Sequence, residues 1–346
     1  MRPIKAFICL ALFLATTGCH PASPPDTYTL SYASPYPQSH PLSRGDQAWI
    51  SYLEKASGGR LHIRASWSGA LISSELNITE LRHGVSDIAT ISPIYARGGT
   101  QAIKAQAGFY GGERSIADQV AVYKCLEARY PALNRNLEGL HILAIQGGNA
   151  LSVITRKTPV HTLDDVKGLR LRAPAELIPL LRQLKADPVD MPMSDVYPAM
   201  AKGVIDGVIA PADTLKSLHF GDVGHYFNEL RISRGGYPAR AISLTSLHKL
   251  PPDLQALIIL SQGVWEDSIA TELQASEDEG RSYGKAQGMQ FISFAPQDQQ
   301  TFDAMYYSEA VAAARKADAL GVNGSQMLSS AQNALARRRS GSSQCE

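Results

Sequence analysis

Two arginines one residue apart, Arg170 and Arg172, sit in the run Leu163-Asp164-Asp165-Val166-Lys167-Gly168-Leu169-Arg170-Leu171-Arg172-Ala173-Pro174. A guanidinium is a planar fork of N–H donors, charged at any working pH, and it matches a carboxylate through two parallel hydrogen bonds. In this run Asp164 or Asp165 opens a turn, Gly168 ends it, and a short strand delivers Arg172 to its carboxyl end just before Pro174. Strand alternation sends Arg170 and Arg172 to the same side. The chemistry on offer is the capture of an anion, a carboxylate above all. The competing reading pairs Arg172 with a nearby acid such as Asp190 or Asp195, and Arg170 reads as a surface or structural residue.

Catalytic constellations are weaker. Gly280-Arg281-Ser282-Tyr283-Gly284 matches the nucleophile elbow of a hydrolase literally. That pattern has meaning only on a sharp turn between an apolar strand and a helix. Here the preceding residues, 272–279, are polar and acidic and read as an exposed helix. The histidines at 20, 40, 62, 83, 141, 161, 219, 225 and 248 show no close metal-ligand spacing, and no cysteine pair suits zinc. No glycine-rich phosphate cradle of either common type is present. The sequence therefore predicts neither cofactor nor metal, and a secreted hydrolase is the least favoured function.

The elements that must position Arg172 alternate between strand and helix. Residues 28–34 read as a strand, 43–57 as a helix stopped by Gly58-Gly59, and 61–65 as a half-buried strand. Ser73 or Ser74 is placed to cap a helix with Leu76 and Leu81 inward, ending at Gly84, and 88–92 forms the next strand. The turn Gly84-Val85-Ser86-Asp87 is echoed by Gly203-Val204-Ile205-Asp206, which follows a helix over 194–202 capped by Ser194 and precedes a strand at 207–210. Glycine permits the left-handed helix end, and Asp87 and Asp206 are expected to satisfy turn amides. Such alternation argues for mostly parallel sheets covered by helices on both faces. Ligands bind beyond the carboxyl ends of strands in such sheets, so the chain after Ser34, Ser92, Leu171 and Ile209 should converge on one cleft.

A chain of 346 residues exceeds the usual reach of one core, which favours two lobes. Net charge of +1 gives no electrostatic footprint for nucleic acid, and Arg337-Arg338-Arg339 reads as a solvated helix end. Arg2 and Lys5, the apolar run 6–15, and Thr16-Thr17-Gly18-Cys19 form a secretory signal too short to span a ~30 Å hydrocarbon core. Cys19 after Gly18 matches a lipoprotein signal except for Thr16, where leucine is preferred; an ordinary secretory signal is the alternative. The reading is a signal peptide over 1–18 and a proline-rich tether over 19–27. Cys125 and Cys345 then remain, either paired or as two separate thiols.

Several motifs, in order and spacing, resemble the solute-binding proteins of tripartite ATP-independent periplasmic (TRAP) transporters, the DctP-like family. They are Ser57-Gly58-Gly59-Arg60-Leu61, Pro159-Val160 ahead of the arginine run, Met191-Pro192-Met193-Ser194-Asp195-Val196-Tyr197, Ala199-Met200, Lys202-Gly203-Val204-Ile205-Asp206-Gly207, and Leu250-Pro251 with Asp253 and Gln255. The resemblance runs from about residue 28 to about 260. It implies an α/β, two-lobed periplasmic-binding fold with a ligand cleft between lobes, and Arg172 at the position that grips the ligand carboxylate. The lobes are placed at 28–149 plus 238–277 and at 150–237 plus 278–325, with 326–346 as a C-terminal tail and a long helix over 254–289 weakened at Gly263 and Gly280.

The resemblance also locates pocket positions. Relatives that bind sialic acid carry a second arginine where this chain has Ser152, an acidic residue at Ser92, and asparagines at Ala175 and Ala210. What remains is one charged anchor among small or apolar groups, with Met193 as a packing surface. That suits a mono- or dicarboxylate or an aromatic acid better than a sugar, whose unpaired hydroxyls would each cost roughly 1–3 kcal/mol. Pro35, Tyr36, Ser74, Thr214 and Tyr237 are expected near the cleft, with His40 at its mouth or at a helix entry. The resemblance implies a periplasmic, lipid-anchored receptor delivering its ligand to TRAP permease membrane subunits. A receptor for a membrane sensor is the alternative.

Overall fold

The computed structural model describes residues 26–342 and 345. The signal peptide, Cys19 and most of the tether lie outside the described residues. Eleven strands among the described residues form two sheets. The first contains β1 (Tyr28–Ala33), β2 (Leu61–Ser66), β3 (Ile88–Thr90), β4 (Leu140–Gln146) and β10 (Tyr237–Ser243), in the order β2-β1-β3-β10-β4. The second contains β5 (Leu151–Thr155), β6 (Arg170–Arg172), β7 (Asp187–Val189), β8 (Gly207–Ala210), β9 (Tyr226–Ile232) and β11 (Gln290–Ile292), in the order β11-β9-β5-β8-β6-β7.

Alternation buries both faces of each sheet. In β5, Leu151 and Val153 join a core with Leu171, Leu180 and Phe302, whereas Ile154 faces Val208, Phe220 and Phe227. In the first sheet, Leu30 and Tyr32 pack with Trp49 and Trp265, and Ala33 packs with Leu81, Ile91 and Tyr123 on the other side. The sheets are more mixed than the expected pattern. β1 runs parallel to β2 and β3, and β6 runs parallel to β7 and β8. β10 and β5, however, are antiparallel to both neighbours. These two strands arrive from the other lobe, β5 directly after β4 and β10 directly after β9, so each enters its sheet from the opposite end.

The two Gly-Val-x-Asp turns are equivalent. Gly84 and Gly203 both take a left-handed φ, +78° and +72°. Their aspartates reach further than turn amides, which corrects the expectation: Asp87 accepts from the Ser31 amide in β1 and Asp206 from the Arg170 amide in β6, each at 2.8 Å. Each carboxylate thus pins a helix-strand turn to a strand of its own sheet.

Helix starts depart from the sequence reading. The helix after Ser74 begins at Asn77, with the Ser73 hydroxyl accepting from the Leu76 amide at 3.0 Å, and Leu76 is 48% exposed rather than inward. Ser194 lies in a 3-10 turn, Met193–Asp195; its hydroxyl bonds Asp195, and the helix Val196–Lys202 has no side-chain cap. The long helix is two, Pro252–Leu260 and Gln262–Ala286, joined at Ser261. Neither Gly263 nor Gly280 interrupts it. Gly280 instead permits close packing, because a Cβ there would come within 2.0 Å of the Ala212 carbonyl oxygen. The apparent nucleophile elbow is therefore a mid-helix packing surface.

At its other end the same helix meets the helix Pro41–Ala56, where a Cβ on Gly45 would lie 2.9 Å from the Ile269 backbone. The helix spans both lobes. So does Pro296–Ala319, whose Phe302 and Tyr306 join the second lobe's core and whose Ala310 and Ala314 join the first's. Residues 326–339, set apart as tail, complete the helix Gly324–Arg339, whose Met327, Ala331 and Leu335 are buried in the first lobe. Cys125 and Cys345 are bonded to each other.

Candidate functional site

The four segments expected to converge do so. A cavity between the lobes is lined by Tyr36 after β1, Tyr95 after β3, Arg172 and Glu176 at and after β6, and Asp213 and Thr214 after β8. It encloses about 810 Å³ of space, solvent at its open mouth included. The two β connections between lobes, 147–150 and 233–236, close its hinge end through Gly148, Asn149 and Arg234.

Arg172 ends β6, paired with Val189 on one side and Val208 on the other, and is 3% exposed. Its Nε donates to the Met191 carbonyl at 3.0 Å, and Nη2 donates to the Tyr95 hydroxyl at 2.8 Å. Tyr95 belongs to the first lobe, so this guanidinium already reaches across the cleft. Nη1 is left without a partner among the described residues. Among the described residues no carboxylate pairs with Arg172, so the alternative of an ion pair to Asp190 or Asp195 is not realised. Burial lifts the Asp190 carboxyl, with Arg172 pulling it back down. Arg170, at the far end of the same strand, pairs with Asp187 at 2.7 Å on the surface.

The facing wall is held by a buried chain of bonds. Asp46 Oδ1 accepts from Arg240 Nε at 2.8 Å, Arg240 Nη1 donates to Gln146 Oε1 at 2.8 Å, and Gln146 Nε2 donates to the Tyr237 hydroxyl at 3.0 Å. Tyr36 stacks on His40 with ring centroids 4.4 Å apart. His40 serves both expected roles: it lines the cavity, and its Nδ1 accepts from the Leu42 amide to cap the helix Pro41–Ala56. Burial, then the positive charges of Arg240 and Arg44, push its pKa down to about 3, so it stays neutral.

Among the expected lining residues, Arg172, Met193, Tyr36, Tyr237 and Thr214 face this cavity. Pro35 and Ser74 line a small side chamber shared with Tyr36, Tyr95 and Met193. Four positions fall outside the wall. Ser152 and Ala210 are directly paired across β5 and β8, and Ala210 packs into the second lobe's core, so both face inward. The Ser92 amide donates to Asn77, tying its loop to the preceding helix. Ala175 points to a separate cavity behind the cleft, with Lys104 and Tyr306.

The expectation of a single charged anchor among small or apolar groups is also overturned. Arg234, Glu176, Asp213, Gln146 and Asn149 line the cavity as well. Asp213 is 3% exposed; burial raises its pKa to about 6, while a hydrogen bond from Asn149 Nδ2 at 3.2 Å opposes the rise. Burial also raises the Glu176 carboxyl, against the pull of Arg234 and Arg172. Glu176 and Asp213 follow the ends of β6 and β8, where the strand-end rule would have found them. Arg234 and Asn149 sit in the lobe crossings, which no local pattern announces.

Residues 32–314 match the family model described as bacterial extracellular solute-binding protein, family 7. A solute-binding protein of Sulfitobacter sp. is 30% identical over 143 residues, covering 40% of this chain and 42% of that one. The match spans less than half the length of this and two other curated relatives, and 67% of a solute-binding protein of Albidiferax ferrireducens that is 23% identical. Among solved structures, a TRAP solute-binding protein of Rhodoferax ferrireducens in complex with benzoate superposes with a TM-score of 0.84 at 22% identity, covering 91% of this chain and 99% of that one. A Bordetella bronchiseptica protein with bound (R)- and (S)-mandelate gives 0.80 at 19%, covering 90% and 99%. One from Bradyrhizobium sp. in complex with galacturonate gives 0.76 at 21%, covering 88% and 100%. At these identities the likeness establishes the two-lobed fold.

Proposed function

The chain belongs to the bacterial extracellular solute-binding protein family 7, and from that premise we propose that it captures a small organic acid between its lobes. Arg172 takes the ligand carboxylate. The observation that carries this reading is a guanidinium only 3% exposed, with no carboxylate partner and one nitrogen unbonded among the described residues, at a strand end in the interlobe cavity. Burying such a charge without a counter-ion is costly, and a ligand anion offsets that cost. The ligands named for the structural neighbours, benzoate, mandelate and galacturonate, share one group, a carboxylate.

The mechanism is capture without covalent chemistry. A carboxylate held by Arg172 touches the second lobe, while Tyr36, Tyr95 and Tyr237 contribute the first. Ligand favours the closed arrangement only by its greater affinity for that arrangement. The closed receptor then presents both lobes together to the membrane subunits of a TRAP permease. We place the protein in the periplasm, with Cys19 as its lipid attachment; intact mass of the membrane-extracted protein, with or without acyl chains, tests the anchor.

Calorimetry against monocarboxylates, dicarboxylates, aromatic acids and uncharged sugars tests the ligand class. Acids are expected to bind, and Arg172→Ala to abolish their binding while the fold persists. Binding of uncharged sugars alone, or of acids regardless of Arg172, refutes the assignment.

A further inference from the structure

The hinge end of the cavity carries a second recognition point. Arg234 lies in the 233–236 connection, half-buried, and forms no hydrogen bond or ion pair with any described residue. Its guanidinium rests against Gly148 of the other connection, where a Cβ would come within 2.5 Å of Nη1. The glycine therefore makes the seat that holds this cation in the cavity. Two carboxyls of the second lobe, Asp213 and Glu176, line the same cavity and feel the positive charge of Arg234. Asp213 accepts one bond from the Asn149 side chain and retains further acceptor capacity.

Charge decides what this end suits. With Arg172 and Arg234 positive and Asp213 and Glu176 negative, the lining is balanced before a ligand enters. One carboxylate on Arg172 adds a single negative charge. A second carboxylate at the hinge end would stand against Asp213 and Glu176 in a poorly solvated space, and an ammonium would stand against Arg234. A purely apolar end would leave Arg234 and Asp213 stripped of water and unmatched. A hydroxyl has both a proton to give and lone pairs to offer.

We propose that the hinge end reads a hydroxyl group on the bound acid: Arg234 donates a hydrogen bond to its oxygen and Asp213 accepts one from its O–H. This rests on the carboxylate reading of Arg172 and narrows it to hydroxylated monocarboxylates. A site built around such a group discriminates strongly against the analogue lacking it.

The test is isothermal titration of the full protein with matched pairs, 3-hydroxybenzoate against benzoate and 5-hydroxypentanoate against pentanoate, with isophthalate as a two-carboxylate probe. Wild type is expected to prefer the hydroxylated member of at least one pair by tenfold or more and to bind isophthalate worse. Arg234→Met and, independently, Asp213→Ala should reduce that preference below threefold. Arg172→Ala should weaken both members of a pair alike. Equal wild-type affinity for hydroxy and deoxy acids, tighter binding of isophthalate, or a preference that survives both hinge-end variants overturns the inference while Arg172 dependence stands. Acid binding insensitive to Arg172→Ala overturns the carboxylate reading, and this inference with it.

Discussion

Arg240 and the cleft arginines show the same side chain under opposite arrangements. Arg240 is fully buried in the first lobe, and its donors meet Asp46 twice, at 2.8 and 3.3 Å, together with the Gln146 side chain and the Ala239 carbonyl. Trp265 Nε1 donates to the same Asp46, and Trp265 stacks on Trp49 at 3.5 Å between ring centroids. Arg172 is almost as buried yet meets only a carbonyl and a hydroxyl, and Arg234 meets nothing among the described residues. A protein interior tolerates a guanidinium when acceptors surround it. Where acceptors are missing beside an open cavity, a partner from outside the chain has room to supply them. Unspent hydrogen-bonding capacity, more than burial or charge, separates the two arginines proposed to bind ligand from the structural one.

Four substitutions break or sharpen this contrast. The largest effect belongs to Asp46→Ala, which strands Arg240 in a dry core and is expected to cost about 3–5 kcal/mol, read as a lowered denaturant midpoint with an unchanged slope. Arg172→Ala should weaken acid binding by about 2–5 kcal/mol, while its thermal midpoint without ligand stays near wild type. If it unfolds as Asp46→Ala does, the contrast between structural and binding arginines fails.

Asp213→Asn should stabilise the ligand-free protein at pH 7.5. The folded pKa of about 6 lies above the unfolded value, so the native state binds more protons between about pH 4 and 6. Stability contributed by this group therefore falls as pH rises through that window and stays lowered above it. The amide removes the penalty, a gain of roughly 1–3 kcal/mol that should vanish in melts at pH 4. An equal gain at both pH values would assign it to packing instead. Arg170→Ala should leave the midpoint unchanged within error, because both members of its pair with Asp187 are about half exposed.

Much of the fold was legible because its signals are local. The paired turns at Gly84 and Gly203 pointed to the two-lobed plan, and strand-end reasoning brought the chain after Ser34, Ser92, Leu171 and Ile209 to one cleft. Arg172 stood out because a short strand after Gly168 delivers it to its carboxyl end just before Pro174, inside the motif run that carries the family resemblance. Positions that depended on partners distant in sequence were not legible. Ser194 has the residue type of a helix cap, but a 3-10 turn delays the helix to Val196. Ser152 and Ala210 alternate correctly along their strands, but which face meets the cleft is fixed by β5 arriving antiparallel from the other lobe. Arg234 was invisible because it lies in a crossing whose position depends on both sheets at once.

The bond between Cys125 and Cys345 spans 220 residues of sequence. A chain made from its amino end presents Cys125 long before its partner exists. The bond therefore certifies completeness: it closes only after both lobes and the last helix have been made. Chains truncated before Cys345 leave Cys125 without this partner, so a thiol-reactive label separates unfinished molecules from complete ones without regard to ligand.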